Sequence, residues 1–275
     1  MSPQARDRAR EKRRIEKRQA VLDQRATESR RNKQVLGVVL VMVLIIGGFV
    51  GLTFALNGSK TTAASPTASA PASVPPALAK PLAGCVRPPA IPTDKRSRTL
   101  PDKKTAAGKT FTATIITNCG PITADLYGTK APQTVASFLS LAKSGYWIDS
   151  PCHRLTTSTP LFVLQCGDPT GTGTGSPGYG YGVENPPANF IYPAGTLAMA
   201  RSTDPKSNGG QFFIVYKQST IGDPTGYSIF GKITSGLDIV DRVAAAGAAP
   251  ADANQITAPL QPISILAVNV TEKKA

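Results

Sequence analysis

The sequence predicts a mainly β domain, a closed eight-stranded antiparallel β-barrel capped by two α-helices, preceded by a single transmembrane helix. Three observations lead to this prediction. Eight short strand-like runs lie between residues 110 and 270, two helical patterns interrupt them, and one uncharged apolar run precedes them. A closed barrel is expected because closure removes the exposed sheet edges that many short strands would otherwise leave.

The N-terminal residues 1–34 carry a large share of the positive charge. They hold 12 Lys or Arg against 5 Asp or Glu, within a chain whose net charge is +14. A solvated basic tail is one interpretation. The other is an arm that binds anionic lipid head groups, since basic clusters beside a span are attracted to the cytoplasmic leaflet. No nucleic-acid partner is expected, because the remaining charge is spread too thinly to predict a basic face.

Residues 35–56 predict the transmembrane helix. They contain no charged side chain, and 22 residues rising 1.5 Å each are long enough to cross about 30 Å of hydrocarbon. A cleaved secretory signal is the alternative, but its apolar core is usually shorter. The basic arm before the span places the N-terminus in the cytoplasm by the positive-inside rule. We therefore expect a single-pass protein of the cell membrane whose C-terminal domain is extracytoplasmic.

Residues 57–105 predict a disordered linker, because they are rich in Ala, Ser, Thr and Pro and poor in large apolar groups. The folded domain is expected at 106–275. No metal site is expected, since no metal-ligand spacing relates the single histidine to the four cysteines, Cys85, Cys119, Cys152 and Cys166. An extracytoplasmic domain permits disulfides, and the sequence leaves open which of three full pairings forms.

The predicted domain begins with a β-hairpin and a helix. Alternating residues predict strands at 110–117 and 122–127, joined by a turn at 118–121. Pro132 suits the first turn of a helix that ends before Gly145. The apolar face of this helix is predicted to consist of Val135, Phe138, Leu139 and Leu141.

The second half of the domain predicts six further strands and one helix. The helix is expected at 237–246, with Ile239, Val240 and Val243 turned inward. The strand-like runs lie at 154–155, 161–165, 197–199, 211–216, 228–233 and 263–270.

Two other chemistries are not supported. The Gly-rich run at 167–175 is predicted to be a tight loop rather than a phosphate cradle, because no Lys or helix follows it in the required arrangement. Cys152 and His153 are not expected to act as nucleophile and base, because neighbours on a strand point to opposite faces.

Four ordered blocks resemble the cyclophilin family of peptidyl-prolyl cis-trans isomerases, over about residues 110–271. They begin with CHRL at 152–155 and FVLQCGDPTGTG at 162–173, which together form one signature. The later blocks are GTLAMA at 195–200, NGGQFFI at 208–214 and FGK at 230–232. The basic arm, the span and the Pro/Ala-rich linker resemble the membrane-anchored cyclophilins of high-GC Gram-positive bacteria.

The resemblance implies a cyclophilin-like fold and an isomerase that acts on proline-containing polypeptides without a cofactor. Amide resonance opposes rotation of an X-Pro bond, and the catalyst must favour the twisted state. In that state the prolyl nitrogen gains a lone pair, which a fixed cationic donor stabilises. By resemblance the donor is Arg154, held in place partly by Gln165.

The same resemblance implies the substrate-binding residues. The apolar contacts to the proline ring are assigned to Phe162, Val163, Phe213 and Ile221. The contacts to the substrate backbone and to the carbonyl side of the bond are assigned to Ala200, Arg201 and Gln211. Tyr227 is also placed at the substrate-binding surface.

Several positions depart from the family pattern. Arg201 stands where the family usually has Asn, although the contact expected there is made largely by main chain. Thr220 and Ile221 stand where many eukaryotic members have Trp and Leu, and Tyr227 stands where they have His. The missing Trp predicts weak cyclosporin binding, and two extra residues within 156–161 alter the hairpin beside the site. The alternative function is therefore a weakly catalytic or non-catalytic module, or a chaperone, that binds proline-containing segments at the membrane surface.

Overall fold

The computed structural model describes residues 80–253 and 256–274. The predicted basic arm at 1–34, the predicted span at 35–56 and residues 57–79 of the predicted linker lie outside the described residues. Neither helix within the described ranges has the length and apolar character that a membrane span requires.

The described chain consists mainly of short strands. Its elements are, in order, a 3-10 helix at Lys103–Thr105, β1 Thr110–Thr117, β2 Gly120–Tyr127, α1 Pro132–Lys143, β3 Ser150–Pro151, β4 Arg154–Leu155, β5 Val163–Cys166, β6 Ile191–Tyr192, β7 Thr196–Met199, β8 Phe212–Val215, β9 Ser219–Thr220, β10 Ile229–Ser235, α2 Leu237–Ala245 and β11 Ser264–Glu272.

Nine strands form one antiparallel sheet in the order β3-β11-β1-β2-β10-β7-β8-β5-β4, and β6 and β9 form a separate two-stranded sheet. The two ends of the large sheet are β3 and β4, which only Cys152 and His153 separate in sequence. Three residues of extended chain span about 10 Å, so the two edges must lie close together. The sheet is therefore strongly curled.

The predicted closed barrel of eight strands is corrected to this curled half-barrel sheet of nine. Because β3 and β4 are consecutive parts of one extended stretch, they cannot lie side by side as ladder partners. The segment before β11 bonds to this stretch instead: the N–H of Cys152 donates to the Ile263 carbonyl, and the N–H of Leu155 donates to the Thr257 carbonyl, each at 2.8 Å.

The first hairpin and both helices agree closely with the sequence prediction. Strands β1 and β2 pair from Thr110 with Tyr127 to Thr117 with Gly120, so the turn is two residues long. Strand β2 therefore begins two residues before the predicted residue 122. Proline occupies the first turn of α1, where its missing N–H costs nothing. Strands β3, β6 and β9, each two residues long, were not predicted.

An aromatic cluster fills the inside of the curl. The Phe138 ring of α1 lies 4.6 Å from Trp147, 5.9 Å from Phe212 and 5.5 Å from Phe230, measured between ring centroids. These side chains belong to the main core. A smaller apolar group, which we call the outer cluster, consists of Val163, Tyr192, Ala198, Phe213 and Val215.

Residues 80–105, which we call the strap, run against the domain although the sequence predicted a disordered linker there. The N–H of Val86 donates to the Asn118 carbonyl at 2.8 Å. The Nη1 of Arg96 donates to the carbonyls of Tyr146 at 2.8 Å and Ile148 at 2.6 Å. Specific hydrogen bonds to the domain, rather than burial of large apolar groups, hold this part of the chain in place.

Two disulfides form among the four cysteines. Cys85 is bonded to Cys119, which joins the strap to the turn between β1 and β2. Cys152 is bonded to Cys166, which joins the residues flanking the β4 and β5 pair. The structure thus selects one of the three pairings that the sequence left open.

Candidate functional site

Cross-strand pairing places the predicted site residues in one row. Arg154 pairs with Gln165 across β4 and β5, and Gln165 pairs with Phe213 across β5 and β8. Phe213 in turn pairs with Ala198 of β7. Directly paired residues point to the same face of a sheet, and their neighbours, such as Leu164, point into the main core. The row therefore lies on the outside of the curled sheet.

Three side chains in this region form a continuous hydrogen-bonded series. The Nη1 of Arg154 donates to Oε1 of Gln165 at 3.3 Å, and the Nε2 of Gln165 donates to Oε1 of Gln211 at 2.9 Å. The Nε2 of Gln211 then donates to the carbonyls of Gly173 at 2.9 Å and Gly175 at 3.0 Å. This arrangement orients the Gln165 oxygen toward Arg154.

The side-chain amide of Gln211 forms its hydrogen bonds within the protein. Both protons of its side-chain amide go to the two glycine carbonyls, so the amide nitrogen has none left for the carbonyl side of a substrate bond. In this structure the side chain links the Gly-rich loop to Gln165.

A buried carboxylate shapes the Gly-rich loop. Asp168 is fully buried and accepts hydrogen bonds from the N–H of Thr170 at 2.8 Å and of Gly175 at 3.0 Å. A Cβ at Gly175 would overlap this carboxylate, so no larger residue fits without a shift. The sequence predicted the loop but not this role of Asp168, because the contact depends on burial that composition does not reveal.

The outer cluster brings five predicted substrate-binding residues together. Val163 and Phe213 are buried within it, whereas Ala200, Ile221 and Tyr227 are partly buried and pack against it. The Tyr227 ring meets the Phe213 ring edge-on, with 5.8 Å between centroids. The arrangement provides an apolar surface beside the row that contains Arg154.

Phe162, which the resemblance assigns to the proline ring, packs against Tyr216 in this structure. Its ring packs edge-on against Tyr216 at 6.0 Å, and the Lys217 ammonium lies 4.9 Å from its centroid. Among the described residues it is not one of those that pack on the outer cluster. Successive side chains of an extended chain point to opposite faces, so Phe162 is turned away from the side occupied by Val163.

The Arg201 side chain is also occupied within the protein. It is only 2% exposed, and its Nη2 lies 2.7 Å from Oδ1 of Asp223. Nε and Nη2 both donate to the Gly226 carbonyl, at 3.1 and 3.0 Å. The guanidinium carbon lies 4.6 Å from the centroid of the Tyr227 ring. Arg201 can therefore offer a substrate only its main chain, and no pattern in the sequence predicted Asp223 as its partner.

A cavity of about 510 Å³ adjoins the row of site residues. Its lining includes Gln165, Ala200, Arg201 and Gln211, together with residues 173–177 and 179–180. This cavity lies next to the series of hydrogen bonds that orients Arg154.

The only histidine of the chain lies next to Arg154 in sequence and is nearly inaccessible. Burial is the main cause that lowers the pKa of His153 to about 4. The Asp168 carboxylate raises this pKa, and the Arg154 charge lowers it. The imidazole is therefore neutral near pH 7. In the described part of the chain no group of three or more His, Cys, Asp or Glu side chains lies close enough to hold a metal ion.

A family model described as cyclophilin type peptidyl-prolyl cis-trans isomerase/CLD matches residues 112–270. The chain belongs to this family. The matched range includes every residue of the predicted site, from Arg154 to Tyr227. The cyclophilin domain thus contains both the row of site residues and the outer cluster.

The cyclophilin domain is similar to two mycobacterial proteins called probable peptidyl-prolyl cis-trans isomerase B. The protein of Mycobacterium tuberculosis is 39% identical over 185 residues, covering 61% of this chain and 58% of the relative. That of Mycobacterium leprae is 40% identical over 183 residues, covering 60% of each. The chain therefore spans about 60% of the length of these relatives.

Solved structures of a cyclophilin type peptidyl-prolyl cis-trans isomerase from Cryptosporidium parvum also match. One is 29% identical with a TM-score of 0.49, covering 60% of this chain and 99% of that chain. Another structure of that protein, determined in the presence of the dipeptide Ala-Pro, has a TM-score of 0.48.

Proposed function

We propose that this cyclophilin domain accelerates cis-trans isomerisation of X-Pro bonds in polypeptides. The observation that carries the proposal is the position of Arg154, which Gln165 holds in the same row as Phe213 of the outer cluster. A fixed cationic donor can bind the nitrogen of the X-Pro bond, and the apolar surface beside it can bind the proline ring.

The chemistry requires no covalent intermediate. Rotation about an X-Pro bond takes tens to hundreds of seconds because the partial double bond must be broken. As the bond twists, the prolyl nitrogen becomes a hydrogen-bond acceptor, and the Arg154 guanidinium donates to it. Because this hydrogen bond exists only in the twisted state, it lowers the barrier rather than stabilising the bound substrate.

The remaining site residues hold the substrate. The proline ring contacts Val163 and Phe213, with Ile221 and Tyr227 at the partly exposed margin. The main chain of Ala200 and Arg201 contacts the substrate backbone. Gln165 acts by fixing Arg154.

We also propose an extracytoplasmic setting at the cell membrane. The uncharged run at 35–56 and the basic residues before it support a single span with its N-terminus in the cytoplasm. The two disulfides favour an oxidising compartment for the domain. The substrates would then be proline-containing segments of exported proteins, and residues 1–34 would contact anionic lipid head groups.

A proline-binding module with little catalysis is the second candidate. The position of Gln211 favours it, because both amide protons are used within the protein and leave the substrate carbonyl without this donor. Weak cyclosporin binding, expected because Thr220 stands where many eukaryotic members have Trp, fits either candidate.

The test is the rate of cis-to-trans conversion of a short X-Pro peptide, measured with the full chain in mild detergent and with its Arg154→Ala variant. We expect acceleration by the parent and a loss of about 100-fold in kcat/KM in the variant, since a charge-assisted hydrogen bond is worth up to about 3 kcal/mol. A folded parent that binds the peptide without accelerating its isomerisation would favour the binding module.

A further inference from the structure

Residues 218–227, which we call the wall loop, border the outer cluster. Ile221 and Tyr227 of this loop pack against the cluster. Regular pairing supports only its beginning, where β9 pairs with β6 and the N–H of Ile221 donates to the Phe190 carbonyl at 3.0 Å. From residue 222 to 226 the loop lies outside any strand and has mostly exposed side chains. Another contact must hold this part in place.

Arg201 supplies that contact from the neighbouring segment after β7. Its guanidinium pairs with the Asp223 carboxylate at 2.7 Å and donates twice to the Gly226 carbonyl. The Nη1 group donates to the carbonyl of Ser202 at 2.9 Å. A guanidinium that is 2% exposed needs such partners, because a buried charge without them is strongly unfavourable.

The loop is built to present these two acceptors together. Asp223 accepts from the N–H of Thr225 at 2.9 Å through its carboxylate and from the N–H of Gly226 at 2.9 Å through its carbonyl. Gly226 has a φ of +69°, which side chains rarely tolerate, and a Cβ there would lie 2.7 Å from Cβ of Pro186. This turn aims the Gly226 carbonyl and the Asp223 carboxylate at one guanidinium.

Tyr227 connects this contact to the apolar surface. The centroid of its ring lies 4.6 Å from the guanidinium carbon of Arg201 and 5.8 Å from the centroid of the Phe213 ring. Its N–H donates to the hydroxyl of Tyr192, another member of the outer cluster, at 2.8 Å. A shift of Arg201 would therefore move the side chain that borders Phe213.

We propose that Arg201 and Asp223 form a clamp that positions Ile221 and Tyr227 against the proline side of the substrate, and so determines substrate affinity rather than the rate of rotation. The proposal rests on the proposed function of the same site. Arg201 acts here as a positioning residue, because its side chain reaches the substrate only through the wall loop.

The clamp has a distinctive kinetic consequence. The proline ring contacts the wall in the planar ground state and in the twisted state alike, so the wall stabilises both equally. Loss of uniform binding raises KM and leaves kcat unchanged. Loss of Arg154, by contrast, lowers kcat.

The experiment compares the full chain in mild detergent with its Arg201→Ala, Arg201→Lys, Asp223→Asn and doubly substituted Arg201→Ala/Asp223→Asn variants. KM and kcat are measured on a short X-Pro peptide, and Kd for the same peptide is measured by calorimetry. We expect KM and Kd to rise about tenfold in each single alanine or asparagine variant, with kcat within about twofold. Because the two residues act as one unit, the double variant should be no worse than the worse single variant.

Two controls separate positioning from folding. Arg201→Lys keeps a positive charge for Asp223 but not the planar fork that reaches Gly226, so it should restore part of the affinity. Arg242→Ala removes another arginine that donates to a backbone carbonyl, that of Ala83, and should leave KM unchanged. Near-ultraviolet circular dichroism reports whether each variant keeps its tertiary packing. If Arg201→Ala does not fold, Asp223→Asn carries the test.

The outcomes distinguish the clamp from the proposed function. If the parent does not accelerate isomerisation, the proposed function fails and the clamp is still judged by Kd. The clamp is overturned if folded Asp223→Asn binds the peptide as the parent does, if the single effects add in the double variant, or if kcat falls while KM stays constant.

Discussion

Arg154 and Gln165 face each other across β4 and β5, and Nη1 of Arg154 donates to Oε1 of Gln165 at 3.3 Å. The Gln165 amide can offer this oxygen only because its Nε2 is turned toward Gln211. Gln211 is in turn held by the carbonyls of the Gly-rich loop. The direction of the Arg154 guanidinium is thus tied to a loop that does not itself pair with β4.

Gln165→Ala should lower kcat/KM by about 5- to 10-fold with little change in thermal stability. The substitution removes one hydrogen bond that orients Arg154, and a bond of this kind contributes about 1 kcal/mol, which corresponds to roughly that factor in rate. The measurement is peptide isomerisation together with thermal unfolding.

The matched control is Gln133→Ala. This glutamine donates from Nε2 to the Pro101 carbonyl on the strap and takes no part in the series that orients Arg154. Its loss should leave kcat/KM unchanged. Equal activity of Gln165→Ala and the parent would show that Arg154 needs no orientation by Gln165.

His153 should make the domain less stable as the pH falls from about 6.5 to about 4. Burial lowers the pKa of His153 to about 4 in the folded state, whereas the unfolded value is 6.5. Within this window the unfolded chain binds a proton that the folded chain does not, so the free energy of unfolding decreases with decreasing pH. The expected loss from His153 alone is about 2 kcal/mol between pH 7 and pH 5.

The measurement is urea unfolding at both pH values, with His153→Phe as the control. Phenylalanine keeps a flat ring but cannot titrate, so the pH dependence between 7 and 5 should flatten in that variant. Because the chain has one histidine, an imidazole NMR titration of the folded protein reports this pKa without ambiguity. An imidazole that titrates near 6.5 would contradict the prediction.

Local patterns were sufficient for much of the fold. The hairpin of β1 and β2 and the two helices could be predicted because alternation, Pro132 and apolar spacing lie within short stretches of chain. The openness of the sheet could not, because it depends on β3 and β4 lying at opposite ends of a ladder whose order is a long-range property. The strap was predicted to be linker because it has no apolar pattern. It is held instead by a few hydrogen bonds and by the disulfide of Cys85.

The site shows the same division. The resemblance implied that Gln165 helps to hold Arg154, and the register of β4 and β5 brings the two residues together. The side-chain directions of Phe162 and Arg201 were not predictable. The first depends on packing against Tyr216, which is distant in sequence, and the second on a carboxylate brought close by the turn of the wall loop.

Replacing Cys85 and Cys119 together by serine should lower the free energy of unfolding without changing kcat. The disulfide closes a loop of 34 residues. Its loss gives the unfolded chain more conformational entropy, which stabilises the unfolded state by about 4 kcal/mol. Cys85 is bonded to the turn between β1 and β2 and not to β4 or β5. Arg154 therefore keeps its partners when this disulfide is removed. The measurements are urea unfolding and peptide isomerisation, and a fall in kcat would contradict the separation of this disulfide from the site.

Replacing Cys152 and Cys166 together should instead affect both stability and catalysis. The closed loop is 14 residues, so the entropic contribution is about 3 kcal/mol, smaller than that of the first disulfide. However, Cys152 lies two residues before Arg154 and Cys166 immediately follows Gln165, so the bond braces the short β4 and β5 pair.

Without that bond the two-residue ladder has to hold Arg154 alone, and we expect kcat to fall several-fold while the Kd for a proline peptide changes little. Measuring kcat and Kd in both double-serine variants makes each the control for the other. If the two variants lose kcat equally, the effect comes from general destabilisation. If only the Cys152/Cys166 variant loses it, the disulfide contributes to catalysis by holding Arg154 and Gln165 in register.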